Sequence, residues 1–178
     1  LANTVGLSQG DFPAAQDYFL QSLSIFQVHG DLSGKGLILA NLGWLAGILG
    51  DYSSAMNYYE QALTISRKVG NRMEEMYTYI NLSAAAVAQG LPTDALAWVD
   101  KAFELSANIG DRTAAGWAYF YSGHAHLINN NFDLAIQAFL KSIEIRTHIN
   151  TPVLTMESRA GLCEAYSKSS QQTSAQNE

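Results

Sequence analysis

The 178-residue chain carries one cysteine, Cys163. An internal disulfide and a multi-thiolate zinc site are therefore both excluded as staples of the fold. Charge is scarce as well: Asp, Glu, Lys and Arg make up 15% of the residues, against roughly 25% in an average soluble domain. Positive charge is the scarcer sign, with 10 Lys and Arg against 16 Asp and Glu for a net charge of −6. No basic stripe is present to engage nucleic acid or an anionic membrane surface, so neither is expected as a partner. No apolar run reaches the ~18 residues that a membrane span requires. No charged segment followed by an apolar one opens the chain as a secretory signal. A cytoplasmic location is the resulting expectation. The chain begins with Leu1 rather than Met, which points to a processed product or a piece of something longer. What is abundant is apolar: 48% of residues are hydrophobic, enough for one domain or one continuous array and incompatible with wholesale disorder. With so few charges, the outside must be covered largely by Asn, Gln, Ser, Thr and Tyr.

The organisation lies in an internal repeat. Gly10-Asp11-Phe12 is followed 40 positions later by Gly50-Asp51-Tyr52, then by Gly90-Leu91-Pro92 and Asn130-Asn131-Phe132. A second series, Gly30-Asp31, Gly70-Asn71, Gly110-Asp111 and Asn150-Thr151, falls halfway between with the same spacing and no insertion. The leading Gly or Asn tolerates the left-handed conformation that ends a helix. The Asp, Asn or Thr after it is expected to accept a hydrogen bond from the free N–H groups of the next helix. Pro92 and Pro152 follow the capping position, where a missing N–H costs nothing. The spacing predicts helices over 12–29, 32–49, 52–69, 72–89, 92–109, 112–129, 132–149 and 152–168, with a partial one over 1–9. Apolar residues at helical spacing, such as Ala55, Tyr59, Ala62 and Leu63, support them. Two-residue connections fold consecutive helices into antiparallel pairs, and each pair hides its apolar face only by stacking on its neighbours.

These residues resemble the tetratricopeptide repeat, in a 40-residue form with a lengthened second helix. The first complete unit supplies Leu39, Leu42-Gly43, Ala55, Tyr59 and Ala62, with Ala46 where an aromatic is usual. The next supplies Tyr79, Leu82-Ser83, Ala95, Val99 and Ala102, and the third Tyr119, Ser122-Gly123, Ala135, Phe139 and Ser142. The final helix has Arg159, Leu162-Cys163 and Tyr166; Arg159 suits a buried contact poorly and marks a capped or frayed end. The resemblance implies an all-α fold, a right-handed α-solenoid of stacked antiparallel helix pairs over 1–168. Its parts are a half repeat (1–30), full repeats (31–70, 71–110 and 111–150) and a final helix (151–168). Residues 169–178 are either a polar tail or the start of a further repeat helix. Small residues at Gly43, Ser83, Gly123 and Cys163, and at Ala55, Ala95 and Ala135, fall where the helices of a pair cross. Cys163 is accordingly expected in the core.

Nothing in the chain assembles a nucleophile, a base and an oxyanion site. Gly30–Gly36 has too few residues between its glycines for a phosphate loop and lacks Ser or Thr after Lys35, so it reads as a helix-to-helix turn. The histidines, His29, His124, His126 and His148, form no metal-binding pair. Glu74 and Glu75, adjacent on a helix, do not face each other and suit its N-terminus. Asn81-Leu82-Ser83 matches a glycosylation sequon but falls mid-helix. No catalytic residue, metal or cofactor is expected.

In the family that the repeat resembles, the first helix of each pair lines the concave face. Spacing relative to the buried positions places Leu37, Asn41 and Trp44 on that stripe, then Tyr77, Ile80 and Asn81, then Trp117, Phe120, Tyr121 and His124. The resemblance implies a noncatalytic scaffold that binds a peptide or protein segment there, aromatic anchors giving affinity and side-chain amides fixing register. No Lys or Arg stands on the stripe in the first three such helices, so the family's carboxylate-clamp subtype is not supported. Resemblance to 40-residue arrays joined to ATPase, cyclase or DNA-binding domains implies a fragment of a larger bacterial-type signalling or transcription-regulatory protein. Two other readings stay open: a small-molecule sensor controlling an attached domain, and a homo-oligomer formed through the solenoid ends.

Overall fold

Turn residues decide the architecture. The structure, a computed structural model, describes residues 12–176; the helix expected over 1–9 and the Gly10-Asp11 turn lie outside them. The described residues form eight helices: α1 (Phe12–His29), α2 (Leu32–Ile48), α3 (Tyr52–Val69), α4 (Arg72–Ala88), α5 (Pro92–Ile109), α6 (Arg112–Ile128), α7 (Phe132–His148) and α8 (Pro152–Gln176). Every interruption carries a residue of positive φ, from Gly30 to Gly110 and then Asn130 at 58° and Asn150 at 54°. Asparagine is the side chain that best tolerates this region, which is why it can stand in for glycine in the last two turns.

Helix starts follow the expected chemistry at four turns. Carboxylate or amide oxygens of Asp31, Asp51, Asn71 and Asp111 accept from the backbone N–H groups of Gly34, Ser54, Glu74 and Ala114 at 3.0–3.1 Å. Asn131 and Thr151 do not. Asn131 makes no side-chain cap bond, and Asp133 supplies the acidic group of that first turn instead. The Thr151 hydroxyl turns back to donate to the Arg146 carbonyl at 3.0 Å, satisfying an end of α7 rather than the start of α8. Asp31→Ala should therefore lower stability by about 1 kcal/mol, and Asn131→Ala by much less. Equal shifts in urea midpoint would show that the cap bonds are not what separates the two turns.

The chain divides at Asn81 and Leu82 into two units. In the first, α1 packs on α2 through Ala15, Phe19, Ile38, Leu42 and Leu45. α2 packs on α3 through Leu39, Ala40, Ala62 and Ile65. Gly43 is obligatory at the α2–α3 crossing, because a Cβ there would lie 2.7 Å from the Tyr59 ring. In the second unit the packing runs from α5 to α6, α6 to α7 and α7 to α8, with a lesser contact between α6 and α8. Buried Ala86, Ala95 and Ala125 form one small-residue contact. Leu127, Phe132, Ala135, Phe139 and Ala165 form the larger core. The Phe139 ring is held from two sides, since a Cβ on Gly123 would approach it to 2.7 Å and one on Gly161 to 2.5 Å.

α8 corrects two expectations. Cys163 is exposed rather than buried, because no described helix crosses α8 on that face, where Arg159 is exposed too, in keeping with its poor fit to a buried contact; Gly161 makes the close approach instead. Residues 169–176 are neither a tail nor a new helix but a direct continuation of α8. Ser170 stands where α2, α4 and α6 are followed by Gly50, Gly90 and Asn130, so no left-handed residue stops the helix. The hydroxyls of Ser170, Thr173 and Ser174 donate to carbonyls one turn back. No helix among the described residues is long and apolar enough to cross a membrane.

Candidate functional site

In the first unit, α2 and α4 carry the sequence-predicted residues. Leu37 and Trp44 are 51% and 41% exposed, and Ile48 on the same face is also exposed. Asn41 is half-buried between them, and the spacing of 4, 3 and 4 from 37 to 48 aligns the four on one side of the helix. On α4, Tyr77 and Asn81 are half-buried. Ile80 is a correction: it is 4% exposed. It lies one turn after Met76 and next to Tyr79, both buried, so it falls inside the core-facing arc of α4.

In the second unit, α6 brings the other four residues together. The Trp117 and Tyr121 rings stack with centroids 5.8 Å apart and 16° between planes. Phe120 meets both edge-on, at 5.8 and 5.2 Å, and meets His124 at 4.6 Å. Centroid separations and tilted geometries of this kind suit the ring quadrupoles. His124 also stands edge-on to Phe139 at 5.1 Å, which ties the aromatic row to the core. Burial pushes the Tyr121 phenol up to about 12, the Arg146 charge opposing it by less. Burial likewise lowers the His124 pKa, against a smaller opposite pull from Glu164, so the imidazole is neutral at pH 7.

Sequence reasoning missed the residue beneath this row. Arg146, on α7, has its side chain 1% exposed. Its guanidinium carbon lies 4.3 Å from the Trp117 centroid and 4.6 Å from that of Phe120. Nη1 donates to the Leu154 carbonyl at 2.6 Å and to the Ser158 hydroxyl at 2.8 Å. Ser158 in turn meets Ser142 at 2.9 Å, and Ser142 donates to the Gly116 carbonyl at 2.9 Å. Glu157, half out in solvent, is 3.8 Å from Nη1. Nε and Nη2 have no acceptor among the described residues. Burial accordingly disfavours the charge, Glu157 and Tyr121 restoring part of it. A signal was available in the repeat register: Ser66 and Ser106 precede Arg146 at 40-residue steps, and Ala62 and Ala102 precede Ser142. The column that runs through Ser66 and Ser106 becomes charged only at Arg146.

The arrangement offers aromatic faces, amides and one buried cation, and no nucleophile with a base beside it. Among the described residues no group of three His, Cys, Asp or Glu could hold a metal ion. The tetratricopeptide repeat signature matches residues 1–68 and 74–148. The chain resembles the crystal structure of a Podosopora anserina kinesin light chain candidate with nearly identical TPR-like repeats, at 15% identity and a TM-score of 0.74 over 97% of this chain and 85% of that one. It also resembles BtubC (BKLC) from P. vanneervenii, at 17% identity and a TM-score of 0.70 over 94% of this chain and 77% of that one. No curated protein matches it. The fold is an all-α solenoid, and with the signature covering most of its length, the chain belongs to the tetratricopeptide repeat family.

Proposed function

We propose that the chain is a noncatalytic interaction module that takes a peptide or protein segment on its aromatic stripe. Repeats of this family generally mediate protein–protein interaction. The observation that carries the reading is the exposed row Leu37, Trp44 and Ile48 with Asn41 set into it. An apolar row interrupted by an amide gives a partner both contact area and a donor–acceptor pair for its backbone. In the second unit the half-buried Trp117, Phe120 and Tyr121 supply aromatic contact area, stiffened from below by Arg146. Service within a signalling or transcription-regulatory protein is the wider role that we attach to this module.

Panning a random peptide library on the protein tests the reading. Peptides so selected should bind Trp44→Ala and Trp117→Ala at least about 30-fold more weakly, the loss of a hot-spot anchor of ~2 kcal/mol, with circular dichroism unchanged. Selected peptides that hold equally well to both variants would remove the stripe from the interaction. Self-association is a second reading, favoured by exposed Val153, Met156 and Tyr166 on α8. Light scattering of the same samples over a dilution series decides it, since a concentration-independent monomer mass leaves it no support.

A further inference from the structure

α5 and α6 leave a concavity of about 420 Å³ beside the Gly110 turn, open to solvent and walled by Phe103, Ala107, Arg112, Ala115 and Tyr119. It shares no residue with the aromatic stripe. The 40-residue register identifies what stands at the same positions in the first unit: Leu63, Arg67, Arg72, Glu75 and Tyr79. There the position is filled. Glu75 is 5% exposed and its carboxylate accepts from Arg67 Nε at 3.0 Å, Arg72 Nη1 at 3.1 Å and the Tyr79 hydroxyl at 3.2 Å. Arg67 also donates to the Tyr79 oxygen and lies 5.5 Å from its ring centroid. Burial would raise the Glu75 pKa, but the three donors outweigh it and hold the carboxyl below its usual range. Glu75 keeps the place expected of it in the first turn of α4 and in addition holds this cluster together.

In the second unit two of those donors remain and the acceptor is gone. Arg112 and Tyr119 repeat Arg72 and Tyr79, while Ala107 and Ala115 replace Arg67 and Glu75. The exchange uncovers the Tyr119 and Phe103 rings, 4.5 Å apart at their centroids and both half-buried. Arg112 is exposed and in no ion pair among the described residues. The other charges nearby are engaged: Asp111 accepts from the Ala114 N–H, and Lys141, within electrostatic reach of Tyr119, is bonded at 2.9 Å to Glu144, which also lies within electrostatic reach of Arg112.

We propose that this concavity is a second docking site, for an acidic side chain of a partner protein flanked by apolar residues. Its carboxylate takes the place of the absent glutamate, accepting from Arg112 and the Tyr119 hydroxyl. The apolar neighbours lie on Phe103 and over Ala107 and Ala115. A charge-assisted pair and a ring face together make the site selective for carboxylate over amide. Arg112 is the cation of the lining that complements such a guest, while Asp111 beside it is engaged by the Ala114 N–H.

The probe is the blocked tripeptide Leu-Glu-Leu, with Leu-Gln-Leu as its neutral counterpart, followed by NMR of the Phe103 and Tyr119 ring protons. The glutamate peptide should shift both rings saturably and bind about tenfold or more tightly than the glutamine peptide, a difference of ~1.4 kcal/mol. Arg112→Gln, at an exposed position, should abolish that preference with folding intact. The double change Ala107→Arg with Ala115→Glu should fill the concavity with the pair seen in the first unit and exclude the peptide, while Trp117→Ala should bind it as before. Equal shifts from the two peptides, or undiminished binding to the filled variant, would overturn the proposal.

Discussion

Phe139→Ala should lower the unfolding free energy by about 3–5 kcal/mol, the largest loss expected from any single side chain in the second unit. The ring is fully buried and touches both neighbouring helices, α6 and α8, at once. It fills the close approach at Gly123 on α6 and at Gly161 on α8, and it meets the Phe120 and His124 rings. Truncation leaves a cavity that cannot collapse easily, because the backbones of α6 and α8 already lie against the ring and are held apart by their own turns. The complementary change, Gly123→Ala, should also destabilise, by about 1–3 kcal/mol of overpacking against roughly 1 kcal/mol gained in helix propensity. Combining it with Phe139→Leu should recover part of the loss, because the smaller side chain admits the methyl. Urea unfolding followed by far-ultraviolet dichroism measures all three. Strictly additive effects would mean that glycine and ring do not meet.

Arg146→Ala should cost about 3 kcal/mol, for different reasons. The guanidinium contributes its stack on two rings, worth ~2 kcal/mol when desolvated, and two hydrogen bonds to α8. Against these stands the expense of keeping a charge 1% exposed with one half-exposed carboxylate at 3.8 Å. Removing that expense should make Arg146→Met much milder, below roughly 1 kcal/mol, because methionine keeps the stem under Trp117 and Phe120 while discarding the charge. Neither variant strands Glu157, which is already hydrated. If methionine proves as damaging as alanine, the hydrogen bonds to Leu154 and Ser158 hold the junction and the packing does not. Trp117 fluorescence should move in both variants, since the cation lies against its ring.

The turns were legible because each depends on a glycine or asparagine that can take positive φ, followed everywhere but at Leu91 by a short polar side chain. Spacing carried them along the chain without reference to the core. Gly43 and Gly123 were legible for a related reason, since a small residue recurring in a helical column has few uses besides close approach. Arg146 was not. A single arginine near a helix end reads as solvated, and only comparison down its own column, past Ser66 and Ser106, marks it as a change in what the column does. Cys163 misled in the opposite way: its column is small and buried elsewhere, but burial needs a second helix, and composition does not say whether one is there. The extension of α8 beyond 168 escaped for want of a positive signal, because a missing stop is harder to read than a present one. The stripe was legible as a pattern on each helix, and Ile80 shows the limit, since one position along the helix separates an outward residue from a core one.

The two kinds of junction differ in how they respond to heat. The α1–α2 contact is built of Phe19, Leu42, Leu45 and their neighbours, so breaking it wets hydrocarbon and raises the heat capacity; its strength fades as the sample is chilled. The Arg146 end of the α7–α8 contact is zipped by hydroxyls, a carbonyl and a guanidinium, and wetting such groups changes the heat capacity in the other direction. Units built on one plan thus carry joints of different thermal character, the oily α1–α2 contact softening in the cold while the polar Arg146 end of the α7–α8 contact keeps its grip.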